Sequence, residues 1–550
     1  MEPASKRPRF EENVFSTVPR DILSSILESV TFGLRSWSVF NQVSKQFRAA
    51  ASNPTVLYRI PISITANEVY HLAQLPQVRS LFMSGVQDGT IHALQRLNAN
   101  IFKRLEHLAI TGSRLTDDGL HCLVLLAPKL LVLDLSDSTS ITTAGLRNAL
   151  ELPRLRDINV SFCTGITEIP ELPPIVSLSI SGCTSVVDLP TLPPTLEYLD
   201  VSDTEITKFE FPTALTYLNV DNCTMDPTHF GEIAKLPNIE YLNLMRLREE
   251  RWTHEDFDIL TTAMPKLTEL VLNGYCATDE AATQTSKVQK LKLVSADLAH
   301  DTFEMLGRIM PDLESFTLNQ SNLDGVCFCG IGKCRKMTNL VLSNCNLGEL
   351  EPLIHFPHIV TLDISSNPNI SDWNNLSRIP FLGGLTDLSI SWTHVRDVHL
   401  QALLECPLKR LDLKYCSKLT DLGMHVVGSI KTLTCLHLNG CRITDIALRP
   451  ISTLPRLRTL SLSYCKDIKN VSRLALCRRL QTLALGHPDT LVNLAVLSGM
   501  MLKTLTLFET RVDMKVCVFN NTLRELCLFR CTLIDADRIP CRIKLSIDGK

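Results

Sequence analysis

The feature that most constrains this chain is a spacing. Leu408-Lys-Arg-Leu411-Asp-Leu413-Lys-Tyr-Cys416-Ser-Lys-Leu419 places apolar residues at its first, fourth and sixth positions, a cysteine at the ninth and a leucine at the twelfth. The frame recurs at Leu433-Thr-Cys-Leu436-His-Leu438 with Cys441, at Leu457-Arg-Thr-Leu460-Ser-Leu462 with Cys465, and at Leu523-Arg-Glu-Leu526-Cys-Leu528 with Cys531. Twenty first positions run from Val78 to Leu523, about 23 residues apart. Ordering so short a unit costs about 1 to 2 kcal/mol per residue in backbone freedom, more than its few aliphatic side chains return, so one unit cannot stand without neighbours. Alternation along Leu408 to Leu413 sends Leu411 and Leu413 inward and leaves Arg410, Asp412 and Lys414 facing out of a parallel sheet.

The frame resembles the leucine-rich repeat in its cysteine-containing form. The expected fold class is therefore α/β: a leucine-rich-repeat solenoid, a curved horseshoe with a parallel β-sheet on its concave face and helices or extended segments on its convex face. Some units carry Thr-Asp-x-Gly/Ala-Leu after the strand, as in Leu115-Thr-Asp-Asp-Gly-Leu120, Leu419-Thr-Asp-Leu-Gly-Met424 and Ile443-Thr-Asp-Ile-Ala-Leu448. There Thr or Asp is placed to accept the first free N–H groups of a helix. The units from 155, 175 and 196 are shorter and carry Ile169-Pro-Glu-Leu-Pro-Pro174 and Leu189-Pro-Thr-Leu-Pro-Pro194. Proline at that density excludes a helix and favours an extended outer segment, and these units resemble the short proline-rich repeats of bacterial effector proteins.

Composition narrows the chemistry. A net charge of -3 over 550 residues argues against nucleic acid or an anionic membrane surface as the main partner. No apolar run reaches eighteen residues and the start of the chain is polar, so neither a membrane span nor a secretory signal is expected, and the reading is a cytoplasmic or nuclear protein. Of 19 cysteines, eight (Cys163, Cys183, Cys223, Cys345, Cys416, Cys441, Cys465, Cys531) occupy the ninth position, where a small buried side chain is needed. Reduced thiols explain them better than disulfides.

Ahead of the repeats, residues 1–13 read as a disordered tail in which Lys6-Arg7-Pro8-Arg9 could serve nuclear import. Val18-Pro19-Arg-Asp-Ile22-Leu23-Ser-Ser-Ile26-Leu27 has Pro near a helix start and apolar residues at helical spacing. Val43-Ser-Lys-Gln-Phe47-Arg48 lies on a second helical stretch, and Asn53-Pro54-Thr-Val-Leu-Tyr58 follows it. These three blocks, in this order, resemble an F-box. The resemblance implies a helical F-box-like domain over 14–60 whose Pro19, Ile22, Leu23, Ile26, Leu27, Val43, Phe47 and Tyr58 contact a Skp-type adaptor and, through it, a cullin complex. Ser44, Phe47 and Tyr58 depart from the family's usual Cys, Trp and Trp. A plainer reading has the same helices cover the exposed end of the solenoid. The solenoid itself is assigned to 61–542, and Ile543-Lys-Leu545-Ser-Ile547 up to Lys550 to a polar cap.

No motif for catalysis stands out: there is no Ser-His-Asp order, paired-His motif or dinucleotide glycine pattern. Cys327, Cys329 and Cys334, with Cys345, match no common zinc spacing, and Gly330-Ile-Gly-Lys333 lacks the Ser or Thr of a phosphate loop, so neither metal nor cofactor is expected. The histidines are scattered, and His437 reads as an ordinary surface residue. What the repeats offer is a face. The residues just past the sixth position include Phe162 and, grouped in the later units, Trp392, Tyr415, Tyr464, Phe508, Phe529 and Arg530. These residue types anchor protein interfaces, although they could equally pack on one another as a ladder. A longer stretch, Leu244 to Pro265, carries charges from Arg246 to Arg251 and offers Trp252 as a further contact unless it folds onto the following helix. The resemblance implies a substrate-recognition subunit of a Skp, cullin and F-box ubiquitin ligase, non-catalytic, with a protein client on the concave face. The alternatives are an interaction scaffold or effector whose first helices only cap, and a GTPase-activating protein using Arg248 or Arg251.

Overall fold

The computed structural model describes most of residues 79–534 together with the strands Phe32–Gly33, Ile62–Thr65 and Lys544–Ile547; within 79–534 it leaves out 85, 97–101, 209, 225–229, 247–251, 253, 275–284, 380–382, 487–496, 498, 510 and 514–521. The chain divides into two compact units, Met1–Glu249 and Glu250–Lys550.

In the first unit each described strand pairs in parallel with the next: Ile62–Thr65 with Ser80–Ser84, then His107–Thr111, Val132–Asp134, Asp157–Asn159, Ser177–Ser179, Tyr198–Asp200, Tyr217–Asn219 and Tyr241–Asn243. The second unit repeats the arrangement from Glu269–Asn273 through Arg410–Asp412, Cys435–His437, Thr459–Ser463, Thr482–Gly486 and Thr504–Phe508 to Glu525–Phe529. Register is fixed by the fourth-position residue, so that Leu388, Leu411, Leu436 and Leu460 lie side by side on successive strands. All are buried, as are the first- and sixth-position residues around them, such as Leu408, Leu413, Leu433 and Leu438. The described repeats thus bury apolar first-, fourth- and sixth-position residues against their neighbours, and each unit is an α/β leucine-rich-repeat stack.

The ninth position holds the stack together through hydrogen bonds as well as volume. The Sγ of Cys163, Cys183, Cys223, Cys345, Cys416, Cys441, Cys465 and Cys531 each donates to the sixth-position carbonyl one repeat back, for example Cys416 to Ile390 at 3.2 Å and Cys441 to Leu413 at 3.0 Å. That role requires a protonated thiol. Burial supplies it, pushing Cys163, Cys345 and Cys465 up to about 12 and Cys183, Cys223 and Cys416 to about 11. All sixteen described cysteines are free.

The Thr-Asp-x-Gly motif is a link between repeats. Thr142 and Thr420 cap their own helices by accepting from Ala144 and Leu422. The Asp serves the next repeat: both carboxylate oxygens of Asp117 take the N–H and hydroxyl of Thr142, and those of Asp421 take the same groups of Thr444 at 2.8 and 2.7 Å. Asp397 binds Thr420 in the same way, and a Cβ on Gly423 would overlap the Asp397 carboxylate, so glycine is required by that approach. The proline-rich region follows expectation, with no helix among the described residues from 151 to 224.

Two further strands lie near the ends of the chain. Phe32–Gly33, between the two stretches read as helices, pairs in parallel with Ile62–Thr65. Lys544–Ile547 is a further rung on Glu525–Phe529, with Leu545 beside Leu526 and Ile547 beside Leu528, because it keeps the apolar alternation of the strands before it.

Candidate functional site

Among the described residues the chain turns sharply after each strand of a repeat, and the turn falls on the eighth position. There the backbone is left-handed, with φ of 58° at Gly112, 62° at Gly274, 58° at Asn222 and 55° at Asn344. Its N–H donates to the carbonyl preceding the equivalent residue in the next repeat, as from Gly182 to Ser202 at 2.8 Å. Glycine, Asn, Asp and Ser tolerate this conformation; a bulky side chain there costs about 1 kcal/mol or more.

Trp392, Tyr415 and Tyr464 nevertheless occupy it, at φ of 57°, 55° and 61°. The structure brings the first two together, their rings stacked 4.0 Å apart at 23°. Tyr415 then lies over Gly440, where any Cβ would overlap its ring. Beyond Tyr464 the equivalent residue, His487, lies outside the described residues, and the carbonyl of Gly486 before it accepts from the Tyr464 N–H at 2.6 Å. Phe508 and Phe529, at the seventh position of paired strands, stack at 4.9 Å and 11°, and Phe508 lies 5.7 Å from Tyr464. Tyr464, Phe508, Phe529, Glu509 and Arg530 line a groove of about 430 Å³, in which Arg530 meets Glu509 at 3.2 Å. The band is partly a ladder, yet Trp392 keeps 55% of its surface exposed. Interface anchoring and ladder packing therefore coexist here. In the first unit Phe162 takes the same left-handed position at φ of 59° and lies over Gly182, as Tyr415 lies over Gly440, but among the described residues it joins no band of rings.

Trp252 does not belong to this site. It is 1% exposed and among the largest fully buried side chains, because its apolar surface is removed from water at the start of the helix His254–Ala263. A buried indole offers no contact to a partner, which corrects the sequence expectation. Arg246, from the same stretch, sits at the left-handed position and forks onto both Asp221 oxygens at 2.9 and 3.0 Å. Arg248 and Arg251 lie outside the described residues, as do all the expected adaptor contacts: Pro19, Ile22, Leu23, Ile26, Leu27, Val43, Phe47 and Tyr58.

The outer face of the sheet carries two groups that the sequence reading missed. In the first unit Tyr198, Tyr217 and Tyr241 stack at 4.1 and 4.2 Å from the third position of adjacent repeats. Their signal was the recurrence of Tyr-Leu-Asp/Asn at repeat spacing. In the second unit His437 is half-buried, 3.5 Å from an Asp412 oxygen and 3.2 Å from the Cys435 thiol. The Asp412 carboxylate holds it up at about 9, with Cys435 adding and burial opposing, so it carries charge at neutral pH. Burial opposes the Asp412 charge, but His437 and both the N–H and Nζ of Lys414 overcome it, and Asp412 sits below its usual range.

The structure separates the four cysteines whose spacing matches no zinc site. Cys334 and Cys345 point into the core and donate to Met310 and Leu318. Cys327 and Cys329, 2.8 Å apart, instead have His300 from the preceding repeat beside them, and these three side chains offer ligand atoms within 4.8 Å of one another. They are the residues that could hold a metal among those described. Among the described residues no helix is long and apolar enough to cross a membrane.

Comparison with known proteins agrees with the repeats. The family described as Leucine Rich repeats (2 copies) matches residues 431–476. Among solved structures, the chain is similar to an internalin (inlF) from Listeria monocytogenes str. 4b F2365, at 20% identity and a TM-score of 0.37, over 68% of this chain and 93% of that one. It is similar to an internalin C2 (inlC2) of the same organism at 20% identity and a TM-score of 0.27, over 36% and 74%. It is also similar to the Rad7 and Elc1 complex in yeast at 14% identity and a TM-score of 0.37, over 96% and 94%.

Proposed function

We propose that this chain is the client-recognition subunit of a Skp, cullin and F-box type ubiquitin ligase. In this reading residues 14–60 dock the adaptor, and the aromatic band from Trp392 to Phe529 grips a protein client. The chain makes no bond itself; it accelerates ubiquitin transfer by holding a client near the loaded conjugating enzyme. The observation that carries protein recognition is the placing of Trp392, Tyr415 and Tyr464 on left-handed backbone. Most other repeats meet that demand with glycine, a short polar residue or a flexible chain such as Gln320 or Glu509. Three rigid rings close together therefore carry a local strain that the fold does not need, and it reads as retained for binding. The adaptor half rests on the three sequence blocks at Val18–Leu27, Val43–Arg48 and Asn53–Tyr58.

A second reading is kept by one observation. Phe32–Gly33 joins the parallel ladder through Ile62–Thr65, which suits a segment that covers the first repeat. In that case the chain is a leucine-rich-repeat interaction scaffold without an adaptor.

Co-purification separates the two. Pro19→Ala with Leu23→Ala should abolish capture of a Skp-type adaptor by the full chain while circular dichroism and the unfolding midpoint of the repeats stay unchanged. Absence of adaptor capture by the unaltered chain, or its retention in the double variant, removes the ligase reading and leaves the scaffold.

A further inference from the structure

The second position of each repeat lies at the amino edge of the strands. In the first unit it mixes signs, and Arg79 pairs with Glu106 of the next repeat. Elsewhere on the surface, cations find acids one repeat away, as Lys290 does with Glu269 at 2.9 Å and Lys336 with Asp312 at 2.6 Å. From Leu408 onward the column changes: Lys409, Thr434, Arg458, Gln481, Lys503 and Arg524 succeed one another with no acid. Backbone hydrogen bonds from Gln481 to Arg458 at 2.8 Å, Lys503 to Gln481 at 2.7 Å and Arg524 to Lys503 at 2.8 Å place the last four on consecutive strands. At about 4.8 Å per strand, Lys503 and Arg524 on adjacent strands are held inside a Debye length.

The tight turn after the 3-10 helix Ser472–Leu476 adds Arg478 and Arg479 to the same place. Together Arg458, Arg478, Arg479, Lys503 and Arg524 line a groove of about 490 Å³ with Met501 and Thr522, and no carboxylate lines it among the described residues. All five cations are exposed, and Met501 is 58% exposed. Five like charges around one hollow repel each other, and no acid among the described lining residues offsets them, which makes the groove a ready site for an anionic ligand.

We infer that this groove binds a phosphorylated segment of a protein. Guanidinium forks on both walls suit the planar, bidentate capture of phosphate oxygens, and Lys503 supplies a point charge between them. The groove exceeds a free phosphate in volume, and Met501 provides apolar contact for a residue flanking the phosphorylated one. Nucleic acid fits less well: the cationic column spans about three strand spacings, no aromatic ring lines the groove for base stacking, and the chain as a whole is acidic. The inference names the class of client in the reading above, and the groove lies at the strand edge opposite the aromatic band.

The test uses the full chain, immobilised, against a phosphoserine-centred peptide library with random flanks, the same library unphosphorylated, and a single-stranded RNA of matched charge. Expected are at least tenfold enrichment of the phosphorylated library, a loss of that enrichment in Arg479→Glu with Arg524→Glu, and a weaker loss in the neutral Arg479→Gln with Arg524→Gln should the charge reversal perturb folding. Equal recovery of both libraries, or RNA displacing the phosphopeptides at equal charge, overturns the inference. Adaptor capture by the same variants should be unchanged, so failure of the ligase reading and failure of the groove give different results.

Discussion

Asn367 stands where eight other repeats place a cysteine, and removing it should be among the most damaging single changes in the second unit. Its side chain is fully buried. Oδ1 accepts from the N–H groups of Cys345 and Leu347, both at 3.0 Å, and Nδ2 donates to the carbonyls of Leu342, Ile364 and Ser365 at 2.7, 2.9 and 3.1 Å. The reason for an amide lies one repeat back, where Asn344 and Asn346 are both left-handed, at φ of 55° and 49°. This doubly twisted loop aims two N–H groups inward, and a thiol can meet only the carbonyl side. Asn367→Ala leaves both donors buried without an acceptor, at about 1 to 3 kcal/mol each, so the loss should be about 3 to 5 kcal/mol. Asn367→Cys restores the donation to Leu342 seen in its sister repeats and should lose only about 2 to 3 kcal/mol. Urea unfolding of the full chain, with hydrogen exchange of the Cys345 and Leu347 amides, measures both. A loss below about 1 kcal/mol for Asn367→Ala, with those amides still protected, would refute the reasoning.

Two further outcomes follow from the same geometry. Since the folded His437 titrates at about 9, above its ordinary value of 6.5, its contribution is complete below pH 6.5 and disappears as pH rises through 9. Discounted for solvent screening at a half-buried site, wild type should lose about 1 to 3 kcal/mol relative to His437→Gln between pH 6 and 10, measured by urea midpoints; parallel pH profiles would show that the Asp412 contact carries no such coupling. At Trp392, substitution by Asn loses stacking of about 0.5 to 1.5 kcal/mol and the burial of nearly half the indole, about 1 to 2 kcal/mol, against relief of about 1 kcal/mol of left-handed strain, so the loss should be about 1 to 2 kcal/mol. A loss above about 3 kcal/mol would make the indole a structural prop and remove it from the candidate site.

The solenoid was legible because its code is local: Leu411 and Leu413 announce an inward face within one strand, and the spacing of Cys416, Cys441 and Cys465 announces the stack. What escaped depends on a partner one repeat away. The Thr420 cap could be read from its own helix, but Asp397 reaching forward to it, and Gly423 making room, join residues more than twenty positions apart. The raised His437 and the linked amide of Asn367 are hidden for the same reason, since each is defined by neighbours that only stacking supplies. Trp252 misled in the opposite direction, because the charges around it in sequence say nothing about where its ring is buried.

The candidate site was found by residue type alone, and the structure supplies the stronger argument. In a repeat protein every position is sampled many times under one geometric demand, so the chain provides its own control. At the eighth position that demand is left-handed backbone, which Gly112, Asn222, Gly274, Asn344 and Gly440 meet without strain. Arg246, Gln320, Glu509 and Arg530 meet it with long flexible chains, and Phe162 is a single aromatic exception in the first unit, with Gly182 making room for it. Trp392, Tyr415 and Tyr464 depart from the rule differently: they fall within four successive repeats, and the first two stack on each other. Isolated exceptions such as Phe162 are what chance leaves along a solenoid. A run confined to neighbouring repeats, and continued by Phe508 and Phe529, marks a surface kept against local propensity.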